Sequence, residues 1–404
     1  MSDSFLGSRP VKTAGIITYW DTVNNYGSIL QNYALQQFLI KRGIKPFLIR
    51  TRFYISKSKL EIYNDELKRT GIFDGMRNLP GRVFRKLYRI LARSDKKDSR
   101  RDFSSFIAEN LSPTDIFTSL SELQKKCPEA DFYIAGSDQI WNTYGKLRAE
   151  IGDEVQSFLL DFAPSASKKI ACAASFGTDI LDEKCNPLFR KALLQFDFIS
   201  VREKSGVDIC GKLGFTNVFL QPDPTMLLSA DDYRAIESDR CVPHGAYILL
   251  YLLGNTTDFS IGRLKAFARK NGLEVVYVYA NDLQRINFYK KTYSTINEWL
   301  GLFDRAEYVV TNSFHGTVFS LIFNKRFIAV PQSRNFSKQN VRIRSLLEIF
   351  GLSARIAADN CKWNANSFSQ LFESVDWEKI NSKLEKIRKT APFVKYMEER
   401  NYDS

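Results

Sequence analysis

The chain is poor in histidine, and its cysteines do not cluster. Its two histidines, His244 and His315, and six cysteines (Cys127, Cys172, Cys185, Cys210, Cys241 and Cys361) are scattered, with no C-x-x-C pair. Such spacing indicates neither a zinc site nor a disulfide framework, and no transition-metal site is expected. Long hydrophobic runs are missing as well. The longest, residues 246–253, is far too short to span a bilayer. Residues 1–15 hold no apolar stretch of signal-peptide length. No short repeat and no low-complexity tract is found. These absences lead us to expect a soluble, cytoplasmic protein.

Core material and positive charge are both plentiful. Of the 404 residues, 44% are hydrophobic and 13% aromatic, which argues against disorder. That length exceeds what one hydrophobic core usually serves, so two domains are expected. Lys and Arg outnumber Asp and Glu by 58 to 45, a net charge of +13. The excess suits acidic partners: phosphorylated small molecules, an anionic membrane surface or nucleic acid. Charge alone does not choose among them.

Residues 308–317 organise the reading. Tyr308 to Thr311 form a β-branched, apolar strand, Asn312 and Ser313 a polar turn, and Gly316 and Thr317 open an apolar helical run. A strand that breaks into a helix leaves the first helical N–H groups facing the turn, where anions bind well. His315 sits in that corner, able to exchange a proton near neutral pH. A helix-capping role explains it equally well from these residues alone.

Strand and helix alternate along the rest of the chain. Residues 15–19 read as a strand, followed by a helix from about Ser28 that is apolar along Leu30, Tyr33, Ala34, Leu35 and Phe38 and ends at Gly43. Residues 45–49 read as a second strand. A βαβ unit of this kind implies a parallel sheet whose ligands bind at the carboxyl ends of its strands. Asn24, Asn25, Tyr26 and Gly27 are then either a wall of the site or a plain turn. Further strands are expected at 131–135, 169–175, 198–201 and 218–220. They deliver Gly136, Ser137, Asp138 and Trp141, and then Arg202 beside Glu203, to the sheet edge. Arg202 suits a phosphate or carboxylate; its bland reading is a salt bridge to Glu203. Asp138 reads equally as a helix N-cap.

Between about 51 and 113 the pattern loosens and turns basic, with Val83, Leu87, Ile90 and Leu91 at helical spacing among Arg82, Arg85, Lys86, Arg89, Arg93, Lys96, Lys97, Arg100 and Arg101. Such a helix suits an anionic membrane surface. The reading preferred here packs one face on its own domain and leaves the charge solvated. Two prolines in Pro222-Asp223-Pro224 forbid helix or central strand, and the domain boundary is placed there. Residues 1–221 would form one Rossmann-like domain carrying the basic insertion, and residues 222–404 a second carrying His315. The second half repeats the alternation, with a polar loop at 331–340 and a long charged helix from about Trp377 to Asn401.

Taken in order, Tyr26-Gly27-Ser28-Ile29-Leu30-Gln31-Asn32-Tyr33-Ala34-Leu35-Gln36, Gly136-Ser137-Asp138-Gln139-Ile140-Trp141-Asn142, Ser200-Val201-Arg202-Glu203, Asp223-Pro224 and Asn312-Ser313-Phe314-His315-Gly316 resemble the polysaccharide pyruvyl transferase family. The resemblance runs from about Gly15 to Gly351. It implies an α/β fold of two Rossmann-like domains facing across a cleft, like the GT-B glycosyltransferases. It also implies transfer of a pyruvyl group from phosphoenolpyruvate onto two hydroxyls of a surface-polysaccharide sugar, often lipid-linked, with no metal or organic cofactor. Under it His315 is the acid–base residue and Asp138 orients or deprotonates the acceptor. Arg202, Asn312, Ser313, Gly316 and Thr317 meet the donor; Asn25, Tyr26, Gly27, Gly136, Ser137 and Trp141 line the acceptor side. Many family members carry Ser-Arg-x-His-Gly, and Ser313 stands here at the arginine's position. Arg334, Lys338 or Arg342 are the candidates to replace that cation.

Three other functions were weighed. A nucleotide-sugar glycosyltransferase requires an acidic ribose clamp after the 311–317 corner, and none is evident. A non-catalytic polysaccharide-assembly partner sits poorly with His315, Arg202 and Asp138 together. Nucleic acid is not an expected partner, because the basic residues gather in one insertion instead of interleaving with aromatics on a sheet. Peripheral contact with the inner face of an anionic membrane stays open through the insertion.

Overall fold

The computed structural model describes residues 11–22, 24–53, 98–143, 152–253, 259–280, 291–332, 340–357, 363–373 and 375–402. The basic segment from Arg82 to Lys97 lies outside them, as do Arg334 and Lys338.

The first unit is a parallel sheet built from β1 (Thr13–Ile17), β2 (Lys45–Thr51), β3 (Pro113–Phe117), β4 (Phe132–Ala135), β5 (Lys168–Ala174), β6 (Phe198–Val201) and β7 (Phe219–Leu220). Their order is β3-β2-β1-β4-β5-β6-β7. Side chains alternate between its two faces. Ala14, Ile16, Phe132 and Ile134 pack on one face with Leu35, Phe38 and Leu39. Ile17, Tyr133 and Ala135 pack on the other with Trp141, Phe158 and Phe176. Both faces are covered, as a parallel sheet requires.

A second parallel sheet repeats the plan with β8 (Tyr247–Leu252), β9 (Glu274–Tyr279), β10 (Lys291–Thr292), β11 (Tyr308–Thr311) and β12 (Arg326–Ala329), in the order β10-β9-β8-β11-β12. Its strand order reverses between β8 and β11, as that of the first sheet does between β1 and β4. Ligands of doubly wound sheets bind at such reversals. The molecule is thus α/β, two Rossmann-like units in a GT-B-like arrangement, with the two reversals brought to one seam.

The helix Tyr26–Ile40 makes the seam. Every residue in it except Gln37 and Ile40 is buried, and Asn25 caps its start by accepting from the Ser28 N–H. Its outer turns serve both units: Tyr26, Ile29, Leu30, Tyr33 and Ala34 belong to a core shared with Trp299, Phe303 and Phe319 of the second unit. Tyr26 stacks on Trp299, with ring centroids 5.3 Å apart, and its hydroxyl donates to the Ser294 carbonyl at 2.7 Å. Arg101, expected on a solvated basic face, is instead buried. It donates to the Tyr279 carbonyl and lies over the rings of Tyr279 and Tyr293.

Two further expectations need correction. The last helix is not continuous: Trp377–Thr390 ends before Pro392, which begins a separate helix, Pro392–Tyr402. Proline lacks the N–H that continuation needs. This second helix crosses back to the first sheet, where Phe393, Val394 and Met397 pack against Ala14, Ile170 and Phe198. Residues 222–404 therefore do not all belong with the second sheet. Tyr26→Phe should cost about 1–2 kcal/mol for its buried hydrogen bond. Tyr26→Ala should cost about 3–5 kcal/mol for the lost ring. Urea unfolding at unchanged m-value measures both, and equal midpoints for Tyr26→Ala and the natural protein would remove Tyr26 from the joint.

Candidate active site

The ends of β4, β6, β7 and β11 bring five charged or titratable side chains to the seam. After β4, Ser137 and Asp138 are buried; Asp138 adopts a left-handed backbone with φ of 68°, and its Oδ1 accepts from the Gln139 N–H at 2.8 Å. Arg202 follows β6 and is buried. Its Nη1 donates to Asp223 Oδ2 at 2.9 Å and lies 3.3 Å from Ser137 Oγ, while Ser137 Oγ donates to the same Oδ2 at 2.7 Å. Asp138 and Glu203 stand 3.9 Å from the guanidinium on other sides. Arg202 Nε and Nη2 are buried without hydrogen-bond partners among the described residues.

Asp223 is the centre of this cluster, although in the sequence it stands out only as part of a motif and of a boundary. The prolines on either side were the available signal: contrary to the expectation of no helix there, Pro224 opens a short 3-10 helix, Pro224–Leu227, and Asp223 caps it. Burial would push its carboxyl up. His315, Arg202 and the Ser137 hydroxyl together outweigh that, and the group is held well below the usual carboxylate range.

The second unit supplies the opposite wall. Ser313 caps the helix Phe314–Ile322, its Oγ accepting from the Gly316 N–H at 3.3 Å. A Cβ on Gly316 would lie 2.3 Å from Thr311 Oγ1, so only glycine lets the helix start so close to β11. His315 is nine-tenths buried, and its Nε2 faces Asp223 Oδ2 at 3.6 Å. The helix Tyr26–Ile40 approaches the ring from the other side. A Cβ on Gly27 would lie 2.0 Å from His315 Nδ1, so the imidazole fills the space that a side chain would take. Phe314 lies between two guanidiniums, with Arg202 4.6 Å and Arg342 5.9 Å from its ring centroid. Gln139, with its amide oxygen turned to the helix Asn340–Phe350, accepts from Arg342. Burial, and then repulsion by Arg202, lower the Arg342 guanidinium to about 10.

Of the residues expected at the site, the structure gathers His315, Arg202, Asp138, Ser137 and Gly27. Gly136 stands behind them, against the Cys172 carbonyl. Several others prove to build the corner. Asn312 spends its amide on both backbone groups of Leu253, at 2.6 Å each. Thr317 Oγ1 donates to the Ser313 carbonyl, and the Gly316 N–H expected to face an anion is taken by the cap. Tyr26 is no cleft wall, being stacked on Trp299. Nor is Trp141: it is fully buried, donates to the Phe158 carbonyl and packs on Phe176. Large rings are drawn into a core wherever one is within reach.

The buried carboxylate has a consequence for acid stability. A carboxyl whose folded pKa is depressed stabilises the fold above its unfolded pKa and loses that contribution as pH falls below it. Stability should therefore decline as pH drops below about 4. Urea unfolding as a function of pH measures this, and a flat profile across that range would remove Asp223 as a contributor.

No match is found among curated proteins. Among solved structures, similarity extends to an α-glucosyltransferase in complex with UDP and DNA (11% identity, 94% of this chain and 90% of that one, TM-score 0.46). It extends also to a UDP-GlcNAc 2-epimerase from Methanocaldococcus jannaschii (11% identity, 94% and 93%, TM-score 0.42). A third is a spinosyn rhamnosyltransferase (11% identity, 96% and 100%, TM-score 0.40). Residues 25–334, which include the whole seam cluster except Arg342, match the sequence model of polysaccharide pyruvyl transferases, and the chain belongs to that family of transferases.

Proposed function

We propose that this transferase moves a pyruvyl group from phosphoenolpyruvate onto two hydroxyls of one sugar in a surface polysaccharide or its lipid-linked precursor. The observation that carries the reading is the placement of His315 against buried guanidinium and carboxylate groups at the meeting of two strand-order reversals. A proton added to the methylene carbon of phosphoenolpyruvate leaves positive charge on the neighbouring carbon. One sugar hydroxyl bonds to that carbon, the carbon–oxygen bond to phosphate breaks, and the second hydroxyl closes the ketal. Of the two hydroxyl protons, one balances that taken up by the methylene carbon and the other leaves with phosphate.

His315 is the acid–base group of this scheme. Arg202 and Arg342 meet the donor's carboxylate and phosphate, using the Arg202 Nε and Nη2 that make no hydrogen bond among the described residues. Asp138, at the same strand end, orients or deprotonates the acceptor hydroxyl. No resident cofactor enters the scheme. Work on a lipid-linked acceptor would place the protein at the inner face of the membrane. Among the described residues no helix is long and apolar enough to cross a bilayer.

Ligand-induced stabilisation tests the donor, since only ligands that bind the folded state raise the melting temperature. Phosphoenolpyruvate should raise it and a panel of nucleotide sugars should not. A shift with a nucleotide sugar alone would move glycosyl transfer into first place. His315→Ala should lower turnover by about 100- to 10,000-fold with the fold intact by circular dichroism; full activity would remove the histidine from the chemistry. Gly27→Ala should also reduce turnover, because the methyl group and the imidazole claim one position. Unchanged turnover there would mean that the ring has room to move without loss. Arg202→Ala is a poorer probe of donor binding, since unpairing a buried carboxylate costs about 3–5 kcal/mol by itself.

A further inference from the structure

Asp223 takes no part in the proton transfers just described, yet it has no exposed surface and sits at the middle of the site. Its two oxygens have separate tasks. Oδ1 accepts from the N–H and the hydroxyl of Thr225, at 3.1 and 2.8 Å. Oδ2 accepts from Ser137 and Arg202 and faces His315 Nε2 at 3.6 Å, in ion-pair range and just beyond a hydrogen bond. That Nε2 is buried and makes no hydrogen bond among the described residues. A bare ring nitrogen there would set its lone pair against a carboxylate oxygen, whereas a protonated one is attracted to it.

The surrounding charges point the same way. Two guanidiniums, Arg202 and Arg342, share the seam with three carboxylates, Asp138, Glu203 and Asp223. The described cluster is therefore short of one positive charge, which an imidazolium would supply. We propose that Asp223 is a positioning residue that keeps a proton on His315 Nε2, leaving Nδ1, on the Gly27 side, as the nitrogen that exchanges protons with substrate. The inference rests on the acid–base role of His315 proposed above.

The chain's two histidines make a direct test practicable. In His244→Gln, labelled with 15N-histidine, only the His315 ring is observed, and its nitrogen shifts at neutral pH report where the protons lie. The expected result is a protonated Nε2, either as the Nε2–H tautomer or as the imidazolium. Adding Asp223→Ala removes the carboxylate and leaves Arg202 and Arg342 in the seam, so the Nε2 shift should move toward that of an unprotonated nitrogen. Turnover should fall about 100-fold or more with the proton no longer held. A bare Nε2 in the His244→Gln protein would overturn the proposal, and so would an Nε2 shift that Asp223→Ala leaves unchanged. If the double variant does not fold, the single variant decides. No donor is present in this experiment. A protein that ignores phosphoenolpyruvate can therefore still show the Asp223 effect, and one that binds it can still fail to.

Discussion

The constraint on which the seam depends is the burial of the Asp223 carboxylate. A charge with no exposed surface must be neutralised where it stands, or it ceases to be a charge. Arg202 and Ser137 from the first unit hydrogen-bond to it, and His315 from the second faces the same oxygen. The carboxylate therefore ties the two units together electrostatically as well as chemically. Each sheet alone would leave an unpaired group: Asp223 without its imidazole, or His315 without its carboxylate.

Electrostatics of this kind need a stiff frame, and the helix Tyr26–Ile40 provides one. It is buried by the first sheet and by the aromatic core of the second, and it meets the His315 ring at Gly27. Such an apolar joint resists the relative domain motion that a small, polar interface permits. The stacking of Tyr26 on Trp299 and the Gly27–His315 contact lie one residue apart on the helix. Displacement of the joint therefore acts on the imidazole directly. Structural and chemical roles are divided between neighbouring positions here, which is why Tyr26 stood in the same motif as Gly27 without lining the site.

Local patterns made the architecture legible. Alternating strands and helices, Gly43 after the first helix and the apolar run of β8 are nearest-neighbour signals, and they specify doubly wound sheets. His315, Arg202 and Asp138 were readable as strand-end residues because parallel sheets put chemistry at those ends. What was not legible depends on contacts distant in sequence. Nothing local distinguishes Arg101 from the exposed Arg100 beside it; the Tyr279 carbonyl that receives it comes from the other unit. The same holds for Trp141 and for the return of Pro392–Tyr402 to the first sheet. Asp223 was missed for a different reason. Prolines signal a break in regular structure, and a break reads as a boundary until the direction of its side chain is known.

In the proposed reaction the cation that Ser313 does not supply comes from elsewhere in the sequence. A serine at this position caps the helix Phe314–Ile322, a task that an arginine side chain does not perform. The cation that the motif lacks has a counterpart 29 residues on: Arg342, from the helix Asn340–Phe350, reaches the ring of Phe314 with Arg202 also against it. Burial first, and then repulsion by Arg202, lower the Arg342 guanidinium. The carboxylates of Asp138, Glu203 and Asp223 offset part of that repulsion. In the proposed reaction the donor brings both a carboxylate and a phosphate, and the two guanidiniums beside Phe314 meet that demand without an arginine in the motif itself.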